Sequence, residues 1–304
     1  MFKVTSTQTG DAYIPRVYSP KPLAKAYRWF RRWPVLPAAV LLLLVFSAIF
    51  ADVLAPHEPN RQTLRARNTP PAWFQDGTTD YLLGADQNGR DVLSRVIHGA
   101  RISLSVAGVA LASGLIVGVT LGLIAGWYGG KIDEVISRIV DIWHALPFLL
   151  VALVVVTLLG GSMLVLMGVL AMVSWVSFVR NVRAEVFVVK NQEYVQMAFV
   201  FGASTVHIMR RHILPGVLHT ILVVATLAVG GLILTEATLS FLGAGIPAPT
   251  PSWGLMISEG RDYLRDAWWS SFFPGLAIFL TVMSLNFMGD WLRDFFDPKL
   301  RQRV

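Results

Sequence analysis

The chain has no cysteine among its 304 residues, which excludes disulfides, thiolate metal sites and cysteine nucleophiles. Charge is scarce as well: 15% of residues are Asp, Glu, Lys or Arg, where a soluble domain carries about 25%. Catalytic signatures are missing in turn. The nearest approach to a phosphate-binding loop, AGWYGGKI, has Ala125 in place of the first glycine and Ile132 where Ser or Thr would hold magnesium. No His-Glu-x-x-His pair and no Gly-x-Ser-x-Gly elbow occur; HEPNR at His57 comes closest and fails. The six histidines are scattered, and no internal repeat is visible. Such a chain does not bind and hydrolyse ATP by itself, and a membrane enzyme is disfavoured.

What it has instead is long hydrophobic runs. The hydrophobic share is 54% and the mean hydropathy is +0.57. A hydrocarbon core of about 30 Å needs roughly 20 helical residues at about 1.5 Å each. Six runs qualify as spans: 34–54, 102–126, 139–159, 163–179, 217–243 and 272–289. An all-α polytopic membrane protein with six transmembrane helices is therefore expected, in contact with lipid. Its expected parts are an N-terminal tail (1–33), a first anchor (34–54), an outer loop with an amphipathic helix (55–100), a core (101–290) and a C-terminal tail (291–304). The run at 34–54 starts too late and is too long for a cleavable signal. Just before it, Arg28, Arg31 and Arg32 mixed with Trp29, Phe30 and Trp33 fit an interfacial girdle.

The formal net charge of +7 would suit nucleic acid, but the basic residues sort by loop: 18 Lys and Arg fall on the side of the termini and 8 on the other. That bias places both termini in the cytoplasm, and no nucleic-acid partner is expected.

In the outer loop Val92, Leu93, Val96, Ile97 and Ala100 recur at helical spacing, with Arg90, Asp91, Arg95 and His98 on other faces and Asp86 as the expected cap. The second span carries Gly114, Gly118, Gly122, Gly126 and Gly130 at every fourth residue. They trace a slowly winding strip on which another helix can pack closely. Arg138, Asp141 and His144 near the start of the third span suggest a local Arg138–Asp141 ion pair, a proton relay being the alternative. Beyond the fifth span, Pro247, Pro249 and Pro251 lead to Ser252 as a helix start, and Trp268 and Trp269 fit an aromatic belt. Glu236 is the one deep ionisable group. It either faces an aqueous translocation pathway or hydrogen-bonds to neighbouring helices.

The segment Glu193 to Pro215, EYVQMAFVFGASTVHIMRRHILP, is a polar helix-Gly-helix unit between two membrane-length runs. Gln196, Met197 and Ala198, then Gly202, then His212, Leu214 and Pro215, resemble the EAA loop of permease subunits of ATP-binding cassette importers. The pieces LGADQNGRDVLSRVIHGARISL, GGKIDEVISRIVDIWHALPFLL, LTEATLSFLGAGIPAPTPSWG and FPGLAIFLTVMSLNFMGDWLRDFFDPKL extend the resemblance from residue 35 to 301. It is to the dipeptide/oligopeptide/nickel permease family of binding-protein-dependent importers, second-permease type. One departure is visible: Gln196-Met197 stand where that family has Glu-Ala, and Glu193 lies one turn earlier.

The resemblance implies the type I importer permease fold in a bacterial inner membrane. It also implies a homologous second permease forming the other half of the pathway, two ATP-binding subunits that hold ATP and magnesium, and an extracytoplasmic binding protein delivering peptides or similar solutes. The 193–215 unit would then seat in a groove of the ATPase and transmit its movement. Gly202 would permit the turn, and Pro215 would fix where the next span begins. The chain itself would bind no cofactor. Two other readings compete. An ion-coupled secondary transporter would want paired carboxylates near the midplane, and a membrane scaffold would leave the 193–215 unit without a use.

Overall fold

The structure is a computed structural model and describes residues 34–296. The tail 1–33 with its expected interfacial girdle, and residues 297–304, lie outside the described residues.

Among the described residues the regular structure is helical, with a long loop between Leu54 and Val92 that holds a single isolated bridge between Ala85 and Asp91. The helices are α1 (Val35–Ile49), α2 (Ala51–Leu54), α3 (Val92–Tyr128), α4 (Gly130–Ala145), α5 (Phe148–Leu159), α6 (Met163–Lys190), α7 (Glu193–Val200), α8 (Thr205–Ile208), α9 (Leu214–Phe241), α10 (Trp253–Gly260) and α11 (Trp269–Phe296). Four helical rods are long and apolar enough to cross a membrane: α3, α6, the unit from Thr205 through α9, and α11. The pair α4 and α5 makes a fifth if counted together, while α1 is a shorter apolar helix of 15 residues. The six expected spans thus become four full rods, one bent pair and one short helix.

Several boundaries move for identifiable reasons. The expected third span, 139–159, is broken: α4 and α5 meet at 78°. Leu146 is extended ahead of Pro147, as a residue preceding proline tends to be, and Pro147 has no N–H to continue the ladder. The outer amphipathic helix and the second span merge into α3, because no breaker separates Val92 from Tyr128 and the glycines face a packing partner. The loop–core division at 100/101 therefore falls inside one helix. The cap of α3 is Asp91, whose carboxylate accepts Ser94 N–H at 3.0 Å, rather than Asp86. At the far end α11 runs on through 291–296, so the expected C-terminal tail starts as helix.

The dominant helix contact is between α3 and α6, and the glycines explain it. A Cβ at Gly114 or Gly118 would collide with Ser174 or with Trp175 O and Phe178. At Gly122 and Gly126 it would come within 2.9 Å of Val182 Cβ and 2.6 Å of Val186 Cβ. Without side chains on this strip the two backbones approach closely, which is how membrane helices gain packing when lipid offers no hydrophobic drive. Gly130 is off the strip: it starts α4 at φ +53° with nothing near its Cβ position. Near the end of α1, Arg101 of α3 reaches back to it. It donates to the carbonyls of Ala48 (2.8 Å) and Ile49 (3.0 Å) and pairs with Asp52 (3.0 Å), satisfying acceptors that the end of α1 leaves open.

Candidate functional site

The 193–215 unit is built by local rules. α7 closes in a Schellman turn: Ala203 N–H bonds Ala198 O at 3.1 Å, Gly202 N–H bonds Phe199 O at 3.0 Å, and Gly202 takes φ +80°. Ser204 then caps α8, accepting His207 N–H at 3.4 Å. The second short segment does not stop at Pro215. α8 continues through a π-helical turn, Met209–Ile213, into α9, and Pro215 is the second residue of α9, directly after that turn. The 193–215 unit is thus a short helix, a glycine corner and the continuous start of a span.

Val195, Ile208, Ile213 and Val217 are buried and pack the unit against Val186 and Val189 of α6. The opposite side is apolar and open: Tyr194, Met197, Phe199, Val200, Phe201 and Val206 are exposed. Glu193 is exposed at the first turn of α7. Gln196 is committed elsewhere, its amide donating to Lys190 O at 3.0 Å and fastening α7 to the end of α6. Ala198 is half-buried against the same packing. The His212 ring lies 5.9 Å from Tyr194 and 6.2 Å from His207, and Leu214 is exposed. An apolar patch of this kind on a polar end of a protein marks an interaction face.

A cavity of about 780 Å³ lies between α6 and α9. Its polar wall is Ser174, Ser177, Asn181 and Glu185 of α6, with His219, Thr220 and Thr235 of α9 opposite, and it reaches Arg293 and Phe296 at the end of α11. Glu185 accepts from Thr220 Oγ1 at 3.2 Å and lies 3.7 Å from His219 Nε2, while the His219 ring stands 6.5 Å from Phe296. The Glu185 end of the cavity is the end of the bundle that carries α7. The sequence carries a signal for this wall: positions 174, 177, 181 and 185 repeat at helical spacing on one face of a helix whose first half is almost wholly apolar.

Glu236 does not line this cavity. It is fully buried, accepting from Ser240 Oγ at 2.8 Å and Ser103 Oγ at 3.2 Å, so it bonds α3 to α9 inside the packing. Other polar pairings also differ from expectation. Asp141 pairs with Arg180 of α6 at 3.0 Å rather than with Arg138, and Asp133 of α4 pairs with Arg183. Trp269 is buried and donates to Ala85 O at 2.9 Å rather than standing in a belt. Arg90 and Arg95 are the largest surprise. Both are buried and share Glu259 of α10, at 2.6 and 3.0 Å, while Asp86 holds Arg90 Nε at 2.7 Å. This clasp fastens the outer loop and α3 to α10. Ser252 caps α10, accepting Leu255 N–H at 3.3 Å.

A bundle of membrane-length helices thus carries a polar-walled cavity between α6 and α9, with an apolar face of α7 and α8 exposed at the same end. Residues 118–302 match the family described as Binding-protein-dependent transport system inner membrane component, and residues 32–71 match the N-terminal TM domain of oligopeptide transport permease C. The chain is similar to the dipeptide transport system permease protein DppC of Escherichia coli strain K12, 43% identical across 99% of this chain and 100% of that one. It is also similar to the di/tripeptide transport system permease protein DppC of Pseudomonas aeruginosa strain UCBPP-PA14, 40% identical across 98% and 99%. Among solved structures, the MetNI methionine ABC transporter in inward facing conformations matches at 19% identity and TM-score 0.55, over 67% of this chain and 98% of that one.

The chain therefore belongs to the binding-protein-dependent transport inner membrane component family. It is a permease subunit of an ATP-binding cassette importer with the type I permease fold: a multi-pass inner-membrane protein and a transport component rather than an enzyme. Membership implies work alongside ATPase subunits and a binding protein. It also sets aside the ion-coupled transporter, for which Glu236, sealed between helices, offers no second carboxylate.

Proposed function

We propose that this permease carries di- and tripeptides or similar small solutes, forming half of the pathway with a homologous second permease. The observation that supports this reading best is that the α6–α9 cavity and the apolar lever lie at the same end of the bundle. On this reading that end is cytoplasmic, as are both termini. The exposed face of α7 and α8, with Glu193, Met197 and Phe201, seats in a groove of one of two ATPase subunits, which hold ATP and magnesium. Closing those subunits pushes α7, and the rigid continuity of α8 with α9 turns the push into a tilt of the cavity wall. Peptide substrates come from the names of the relatives, and the volume of about 780 Å³ is ample for them.

Reconstitution with both permeases, both ATPase subunits and the binding protein tests this reading. Radiolabelled dipeptide should accumulate only with ATP on the lever side, and an imposed proton gradient should not replace ATP. Uptake without nucleotide, or peptide-independent ATPase activity with no uptake, would overturn it.

A further inference from the structure

The outer loop between α2 and α3 turns tightly at its tip. Phe74 N–H bonds Pro71 O at 2.9 Å, Gly77 N–H bonds Phe74 O at 3.0 Å, and a Cβ at Gly77 would collide with the Pro71 carbonyl. This fixed tip presents Trp73 at 61% exposure and Phe74 at 44%. Both rings lean on the start of α11: Trp73 stands edge-on to Phe273 at 6.1 Å, and Phe74 edge-on to Trp268 at 6.3 Å. Trp268 and Phe272 meet at 5.3 Å, and Phe272 is itself half exposed.

That cluster sits where the apolar stretch of α11 begins. Below it Phe272, Leu276, Phe279, Met283 and Phe287 are exposed at helical spacing, so one face of this span is an apolar row open to its surroundings. The loop tip extends that row past the end of the helix. Aromatic side chains at such a height belong to the headgroup region, where one end of the ring system is apolar and the other wet. Charge narrows the choice of partner. Residues 68–89 contain no Lys or Arg, and Asp76, Asp80 and Asp86 fall within them, so nothing in the tip attracts anionic headgroups.

We infer that the Trp73–Phe74 tip is a membrane-interface anchor. It lies among the headgroups of the adjacent leaflet beside Trp268 and Phe272, held by aromatic burial and indifferent to lipid charge. Through the Asp86–Arg90–Glu259 clasp it ties α10 and the outer end of α3 to bilayer height. This inference does not depend on the substrate.

Because the chain lacks cysteine, Gln75→Cys introduces a unique thiol beside the two rings without removing them. A nitroxide attached there, in the assembled transporter with the other subunits' thiols blocked, is placed in nanodiscs of phosphatidylcholine and phosphatidylethanolamine without binding protein. Its collision rates with oxygen and with a water-soluble nickel chelate report depth. The expected result is a several-fold higher oxygen-to-nickel ratio than for the same label at Gln62, falling to the Gln62 value in a Trp73→Ser/Phe74→Ser background. If that double variant fails to assemble, the reading in the unaltered background and in Trp73→Gln still decides. A water-like ratio at Gln75 overturns the anchor. So does shielding that appears only when binding protein is added, which would make the tip a docking face for that protein, or shielding that requires anionic lipid.

Discussion

Gly202 holds φ +80° in open space, with nothing within 4 Å of where a Cβ would stand. Its requirement is therefore conformational rather than steric. Left-handed backbone costs an L-residue about 1–2 kcal/mol, less for Asn. Replacement should rank accordingly: Gly202→Asn close to the parent, Gly202→Ala weaker and Gly202→Val weakest, in co-purification of ATPase subunits and in ATP-driven uptake alike. A ranking by side-chain volume, with Ala equal to the parent, would contradict it. The α3 strip obeys the opposite rule. Gly118 has ordinary helical geometry but no room, so Gly118→Val should cost about 1–3 kcal/mol by overpacking. Gly108, with nothing within 4 Å, should accept Val with little change in the thermal unfolding of the detergent-solubilised protein.

The clasp belongs to the scale of elements, because it joins α3, α10 and the outer loop. Arg90 and Arg95 are almost wholly buried, and their shared carboxylate Glu259 is mostly so. Removing one partner from a buried ion pair costs about 3–5 kcal/mol, since the remaining charge is left without water. Glu259→Gln should therefore lower the unfolding temperature markedly. Asp262→Asn, which breaks an exposed pair with Arg261, should cost about 0–1 kcal/mol. Equal effects would mean that Glu259 is not what neutralises the two arginines.

This clasp also shows what the sequence could reveal. The amphipathic pattern around Val92 to Ala100 was legible, as were the apolar runs and the glycine strip, because each is periodic within one helix. That Arg90 would be buried against a residue 169 positions away was not, since pairing over that separation leaves no local period. The bend between α4 and α5 was half legible: hydropathy sums over 139–159 ignore direction, although Pro147 was the signal for a break. The cavity wall on α6 was periodic too, yet its hydroxyls and amide are easily absorbed into a strongly apolar average.

At the scale of the whole molecule the proposed coupling makes the cavity and the α7–α8 unit one device, which sets the final expectation. The α6–α9 cavity reaches from Ser174 and Thr235 to Glu185, His219 and Phe296 at the end that carries α7, and α8 runs without interruption into the helix that forms one wall. A bundle with two packings switches only if nucleotide binds one state better than the other; moving from 99:1 to 1:99 takes about 5.5 kcal/mol of differential binding. On the proposed reading, two ATP molecules held by the ATPase subunits supply that difference, and α7 with α8 is where it enters this subunit. Cysteines placed at Asn181, near the mouth, and Thr235, deeper in, should react with a polar thiol reagent added from the lever side in the nucleotide-free complex, Asn181 faster. Trapping with ATP and vanadate should slow both several-fold. A cysteine at Phe279, exposed on the apolar row of α11, should stay unreactive throughout. If trapping leaves the rate at Asn181 unchanged while ATPase subunits remain bound, α9 is not driven by the lever, and the continuity of α8 with α9 has only a structural role.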